Sequence, residues 1–176
     1  MPILLKHYRQ LKPSHFALID LIFDRINWLK DEKIHEEFIL KIISESSFTE
    51  ICIYHLLKAL KPQVILNSNE TMPNLGKEQL IKQIKFDFKL SVAIAKKVHE
   101  LLKKILNFVP TSISLLLKLI ENLYPQPSAD TIYHSWYVKN LLQISNWCQI
   151  TRRAVYSSIF SSLLKIDVIY PFFFPF

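Results

Sequence analysis

Leu101-Leu102-Lys103-Lys104-Ile105-Leu106-Asn107-Phe108-Val109-Pro110-Thr111-Ser112-Ile113-Ser114-Leu115-Leu116-Leu117-Lys118-Leu119-Ile120 contains the reading that decides the fold. Leu90, Ile94, Val98, Leu101, Ile105 and Phe108 recur three or four residues apart, so the stretch from Glu78 to Phe108 is predicted helical, with a break near Asp87. Pro110 stops that helix because it has no N–H to donate and its ring opposes the preceding turn. A new apolar stripe of Ile113, Leu116, Leu117, Ile120 and Leu123 then starts behind Thr111 or Ser112 as cap and closes at Pro125-Gln126-Pro127.

The same grammar extends outward. Before this stretch, Phe16, Ile19, Ile22, Phe23 and Ile26 predict a helix over 15–27 after Pro13-Ser14, with Ser14 as candidate cap. Asp31 is placed to cap a helix to Ser46 with Ile34, Phe38, Ile42 and Ile43 inward, and a third runs from Phe48 to Leu60 until Lys61-Pro62 ends it. Toward the carboxy terminus, helices are predicted from Tyr133 to Cys148 and from Arg152 to Ile166. Between these halves Asn67, Ser68, Asn69, Thr71, Pro73, Asn74 and Gly76 crowd into loop composition, setting a loop near 62–77.

Helices joined by short turns predict an all-α chain, a HEAT-like α-solenoid of antiparallel helix pairs, with a globular helical bundle as the other architecture that periodicity allows. Scarce glycine and little alternation argue against hairpins. We place a single helical-repeat domain over 1–168. The tail Ile169-Tyr170-Pro171-Phe172-Phe173-Phe174-Pro175-Phe176 has neither helical nor strand logic, so 169–176 is expected outside the fold, with docking onto the last helices as the alternative.

Several function classes fall away. The chain has a single glycine, Gly76, which excludes phosphate-cradling loops and dinucleotide folds. Lys118 and Glu121 interrupt the apolar residues between Ile113 and Tyr124, well short of the roughly 20 that a spanning helix needs, so no membrane segment is expected. Lys6, His7 and Arg9 follow Met1 to Leu5 too closely for a secretory leader. Cys52 and Cys148 lack paired spacing and read as reduced thiols. His35-Glu36-Glu37 lacks the second histidine a metal-binding helix needs, and no serine has a strand-turn-helix glycine setting, so neither metal, cofactor nor catalytic residue is expected.

The basic charge is concentrated. Lys77 to Lys104 carries eight lysines against Glu78, Asp87 and Glu100, five of the chain's seven net positive charges. Lys96, Lys97, Lys103 and Lys104 form the candidate partner-binding face, suited to phosphates or an acidic protein, with a solvated helix face as the plain alternative. Few aromatics interleave the run and no recognition helix accompanies it, so sequence-specific nucleic-acid binding is not expected. Ser44, Ser46 and Ser47 are candidate phosphorylation sites; Ser157, Ser158, Ser161 and Ser162 form a second cluster near Arg152 and Arg153. Helix caps and small packing residues are the plain alternative for both.

The second half also carries a resemblance. Val109-Pro110-Thr111-Ser112, Tyr124-Pro125, the block Tyr137-Val138-Lys139-Asn140-Leu141-Leu142-Gln143-Ile144-Ser145 and the closing Leu163-Leu164-Lys165-Ile166-Asp167-Val168 together resemble the RNA polymerase I-specific transcription initiation factor family, TIF-IA in animals. Ile26-Asn27-Trp28-Leu29 onward to Pro62 resembles the family's first repeats more loosely. The resemblance implies a nuclear and nucleolar HEAT-repeat adaptor, not an enzyme, that binds RNA polymerase I and promoter-bound initiation factors, with phosphorylation regulating the contact. A homodimer stays open. Within the block, Lys139 and Asn140 are candidate contacts or ties between repeats, while Leu141, Leu142 and Ile144 are assigned to the core. The family's members are longer, so the chain reads as an amino-terminal portion or a truncated form. A generic HEAT-type interaction scaffold and a basic nucleic-acid-associated helical protein remain the competing readings.

Overall fold

The computed structural model describes the backbone of residues 2–30, 32–66 and 84–173, and the side chains of 5–30, 33–64 and 86–165. Among these residues run α1 (Pro2–His7), α2 (Phe16–Asp24), α3 (Glu32–Ile42), α4 (Ser46–Ala59), β1 (Val64–Leu66), β2 (Ile84–Phe86), α5 (Phe88–Phe108), α6 (Ile113–Asn122), α7 (Thr131–Trp147) and α8 (Arg152–Phe173). The chain is all-α in class. No described helix is long and apolar enough to cross a membrane.

Contacts pass between helices one or two places apart in the chain. α4 packs on α2, α3, α5 and α6, α5 on α3 and α7, and α8 on α6 and α7. One continuous core results, running from Ile19 and Phe23 through Phe38, Ile42, Phe48 and Leu56 to Val98, Leu102, Leu116, Leu141, Ile144 and Val155. The helical period picks out several of these residues, because three- and four-residue steps return to one face, but Phe16 and Phe108, which it assigns to the same stripes, are exposed, and Leu102 is buried outside its stripe. Cys52 lies in this core, where burial pushes its thiol well above the ordinary range, and both cysteines are free.

Polar ties supplement the apolar contacts. The His55 ring is buried, stacks on Phe23 with centroids 4.7 Å apart, and places Nε2 2.6 Å from Asp20 Oδ1, joining α4 to α2. Beside it Lys58 Nζ donates to Asp24 at 2.9 Å, which lowers the carboxyl pKa of Asp24 and raises that of the lysine. The buried Tyr137 hydroxyl donates to the Ile120 carbonyl at 3.0 Å, and its burial raises the phenol pKa.

Four local expectations are corrected. The first concerns 84–108: the helix begins only at Phe88, with Asp87 as cap accepting from Leu90 N at 2.9 Å, and Ile84–Phe86 is a strand paired antiparallel with Val64–Leu66 in the register Val64↔Phe86. A hairpin is present despite the scarce glycine because three-residue strands are too short to show alternation. Val-Ile-Leu and Ile-Lys-Phe are nonetheless strand formers by residue type, and Pro62 prevents α4 from continuing into them. Residues 67–83, holding most of the predicted loop together with Lys77 and Lys82, lie outside the described residues.

Second, Ser14 does not cap α2. Pro13–His15 forms a 3₁₀ turn in which the His15 ring Nδ1 accepts from Lys12 N at 2.9 Å. Third, Pro110–Ser112 is likewise a 3₁₀ turn, and the Ser112 hydroxyl donates back to the Val109 carbonyl at 2.7 Å instead of capping α6. Proline at the first position suits both turns, since its missing N–H would have had no partner there. The fourth correction concerns only the expectation that the tail lacks helical logic: the α8 backbone stays helical to Phe173, while the side chains past Lys165 and residues 174–176 lie outside the described residues. Pro171 stands in its last turn, where the fixed φ is already helical and the absent N–H forfeits one bond. The Asp31 cap lies outside the described residues.

Candidate functional site

Lys139 and Asn140 are neighbours on α7, and one step of about 100° around the helix separates their fates. Asn140 is 2% exposed. Its Nδ2 donates to the Trp136 carbonyl at 2.8 Å and its Oδ1 lies 3.0 Å from His99 Nε2. Trp147 Nε1, which can only donate, points at His99 Nδ1 from 3.3 Å. That donor assigns the histidine: Nδ1 accepts, so Nε2 carries the proton and donates to Asn140. Burial lowers the His99 pKa, Asn140 opposes that shift, and the nearby Lys103 charge adds to it. Trp136 Nε1 donates to the Leu60 carbonyl at 2.8 Å, extending the ties from α5 and α7 to the end of α4. Asn140 therefore holds helices together, and its assignment as a partner contact is corrected.

Lys139 faces outward. Its Nζ lies 5.0 Å from the Phe88 ring centroid and 5.1 Å from that of Trp136. Phe86, Phe88 and Trp136 pack edge to face with centroids 5.6 to 6.0 Å apart. Beside them Thr131, Ile132 and Ser135 complete a cleft of about 320 Å³. Phe88 is 53% exposed and Ile132 48%, large apolar surface to leave in water. The same outward face continues along α7 through Leu142 and Asn146. Leu142 is exposed, which corrects its assignment to the core; Leu141 and Ile144 are fully buried. Sequence reasoning named Lys139 but missed the three aromatics. Phe86 and Phe88 flanking Asp87 inside the lysine run were the available signal.

The basic face on α5 is partly neutralised by its own fold. Lys104 is ion-paired with Glu36 of α3. Lys103 lies 5.5 Å from the Trp147 ring centroid, and Lys97 lines a small cleft with Glu36 and Glu100. Lys96 is exposed. The four lysines thus share one helix without converging on a single point.

Among the candidate phosphorylation sites, Ser44 is exposed and its hydroxyl donates to the Lys41 carbonyl at 2.7 Å. Ser46 is exposed at the start of α4, and Ser47 is half-buried. Ser157, Ser158, Ser161 and Ser162 line a groove of about 460 Å³ between α8 and the Tyr124–Pro127 segment. Among the described residues, no three His, Cys, Asp or Glu side chains gather as a metal site would require.

The chain is thus all-α, with buried polar side chains such as Asn140, Tyr137 and His55 joining helices and exposed aromatics and lysines along helix faces. The family model described as RNA polymerase I specific transcription initiation factor RRN3 matches residues 1–170. The chain belongs to that family, which is one of transcription initiation factors acting with RNA polymerase I. Comparison with curated proteins and with solved structures finds no match.

Proposed function

We propose that this chain binds RNA polymerase I and acts as an adaptor, not an enzyme, bringing the polymerase to promoter-bound initiation factors on ribosomal RNA genes in the nucleolus. The observation that carries this is the family match over residues 1–170. The packing supports it: among the described helices each contacts the next but one, and α3 with α4, α4 with α5 and α7 with α8 also pack as neighbours, an arrangement compatible with a HEAT-like α-solenoid of antiparallel pairs, whose stacks present long faces to large partners. Lys96, Lys97, Lys103, Lys104 and Lys139 supply the positive charge of those faces, and modification of Ser44, Ser46 or Ser47 would place negative charge at the α3–α4 turn.

The test is retention of purified RNA polymerase I on the immobilised chain, with polymerase II as control and nuclease present throughout. Selective retention of polymerase I is expected. Equal retention of both enzymes, or loss on nuclease treatment, would replace the adaptor with a general scaffold or a nucleic-acid-associated protein.

A further inference from the structure

We propose that the cleft between the β1–β2 pair and α7 is a docking site for a short acidic-apolar peptide segment, one that inserts an aromatic or long aliphatic side chain beside Phe88 and Ile132 and sets a carboxylate against Lys139. This rests on the partner being a protein, as in the polymerase reading, but names a surface and a chemistry that reading does not supply.

Charge complementarity selects the occupant. Among the described residues the cleft is lined by Phe86, Phe88, Thr131, Ile132, Ser135, Trp136 and Lys139, one cation and no anion. Two carboxylates flank it in sequence, and both are engaged as helix caps: Asp87 accepts from Leu90 N at 2.9 Å and Asp130 from Ile132 N at 2.7 Å. Neither is oriented to pair with Lys139, whose ammonium is held by ring faces alone among the described side chains. A carboxylate arriving from outside meets a cation already positioned over aromatic rings.

The volume of about 320 Å³ suits one or two large side chains, not a folded element. A nucleic-acid strand fits less well. Base stacking needs successive open ring faces, whereas only Phe88 is exposed here: Trp136 is buried with its N–H committed to Leu60, and Lys139 stands over both rings.

The experiment uses the full chain and a fluorescein-labelled twelve-residue probe alternating Phe or Leu with Glu, read by anisotropy. A matched probe with every Glu replaced by Lys and a thymidine oligonucleotide of equal length serve as comparators. Saturable binding of the acidic probe over both comparators is expected, weakened by salt. Lys139→Glu should weaken it about tenfold and Phe88→Ser by a similar factor, while Lys118→Glu, the same charge change on exposed α6, leaves it unchanged. Lys139→Glu alters an exposed position and keeps the test valid if Phe88→Ser fails to fold, as circular dichroism will show. Absent saturation, equal binding of acidic and basic probes, preference for the oligonucleotide, or equal losses for Lys139→Glu and Lys118→Glu would each overturn the proposal. Polymerase retention on the same samples separates the two readings. A chain that holds polymerase I and ignores the probe loses only the cleft; one that binds the probe and not the polymerase loses only the adaptor.

Discussion

His99 on α5 and Asn140 on α7, 41 residues apart, meet at 3.0 Å between Nε2 and Oδ1 in the interior. The asparagine is doubly committed, because its Nδ2 also donates to the Trp136 carbonyl. Replacing Asn140 by Leu should therefore leave the His99 N–H without its acceptor and cost about 1–3 kcal/mol of stability. For a chain of this length that corresponds to a fall in Tm of roughly 2–4 °C per kcal/mol. Urea denaturation followed by circular dichroism measures it, and a change below about 0.5 kcal/mol, the range of ordinary surface substitutions, would mean that the pair is not a structural tie.

The same histidine predicts a pH dependence. His99 has a folded-state pKa below its unfolded value, with burial the largest cause. The unfolded chain therefore binds the extra proton first, and the stability associated with neutral His99 is complete above its unfolded pKa of about 6.5. It is lost as pH falls from there toward the folded pKa. Urea midpoints across this range should decline for the wild type and decline less steeply for His99→Gln. Parallel declines would assign the acid sensitivity to other groups.

Leu102 and Leu142 test the packing directly, being the same residue type at opposite extremes. Leu102 is fully buried and Leu142 is 38% exposed. Leu102→Ala should cost about 2–5 kcal/mol through lost burial and a residual cavity. Leu142→Ala should stay within about 0.5 kcal/mol, as surface changes do. Similar losses at both sites would mean that α7 faces the core differently.

These pairs also show how far the sequence could be read. The periodicity of Ile94, Val98, Leu101 and Ile105 finds the inward face of α5 because a helix repeats locally, and Pro110 marks its end for an equally local reason. The hairpin was hidden because its strands pair across 67–83 and each is too short to alternate. The His99, Asn140 and Trp147 cluster has no local signature at all, since its members meet only once α5 and α7 are packed. Lys139 and Asn140 adjoin in sequence, and only the rotation of α7 decides which one a partner can reach.

Lys104 and Glu36 join α5 to α3 through an ion pair whose side chains are partly exposed. Solvent screening limits such a pair to about 0.2–1 kcal/mol. Lys104→Glu should lower stability within that range by opposing two carboxylates, and the swap Lys104→Glu with Glu36→Lys should recover it. If Lys104 also contacts the polymerase, the swapped chain will be stable yet retain less polymerase I. Full stability with full retention would assign the lysine to packing alone.

Ser46 separates two ways in which phosphorylation could act. It is the first residue of α4 and exposed, at the helix end where backbone N–H groups favour negative charge. Ser46→Asp should therefore stabilise the chain by about 0.3–1 kcal/mol, since the new carboxylate lies in the first turn of a helix with no acidic residue there. The sign matters more than the size. A phosphate that strengthens α4 cannot weaken polymerase binding by unfolding it, so any loss of retention in Ser46→Asp would come from repulsion at the α3–α4 surface, and salt should relieve it. A fall in thermal stability alongside lost retention, measured on one sample, would instead make local unfolding of α4 the regulatory step.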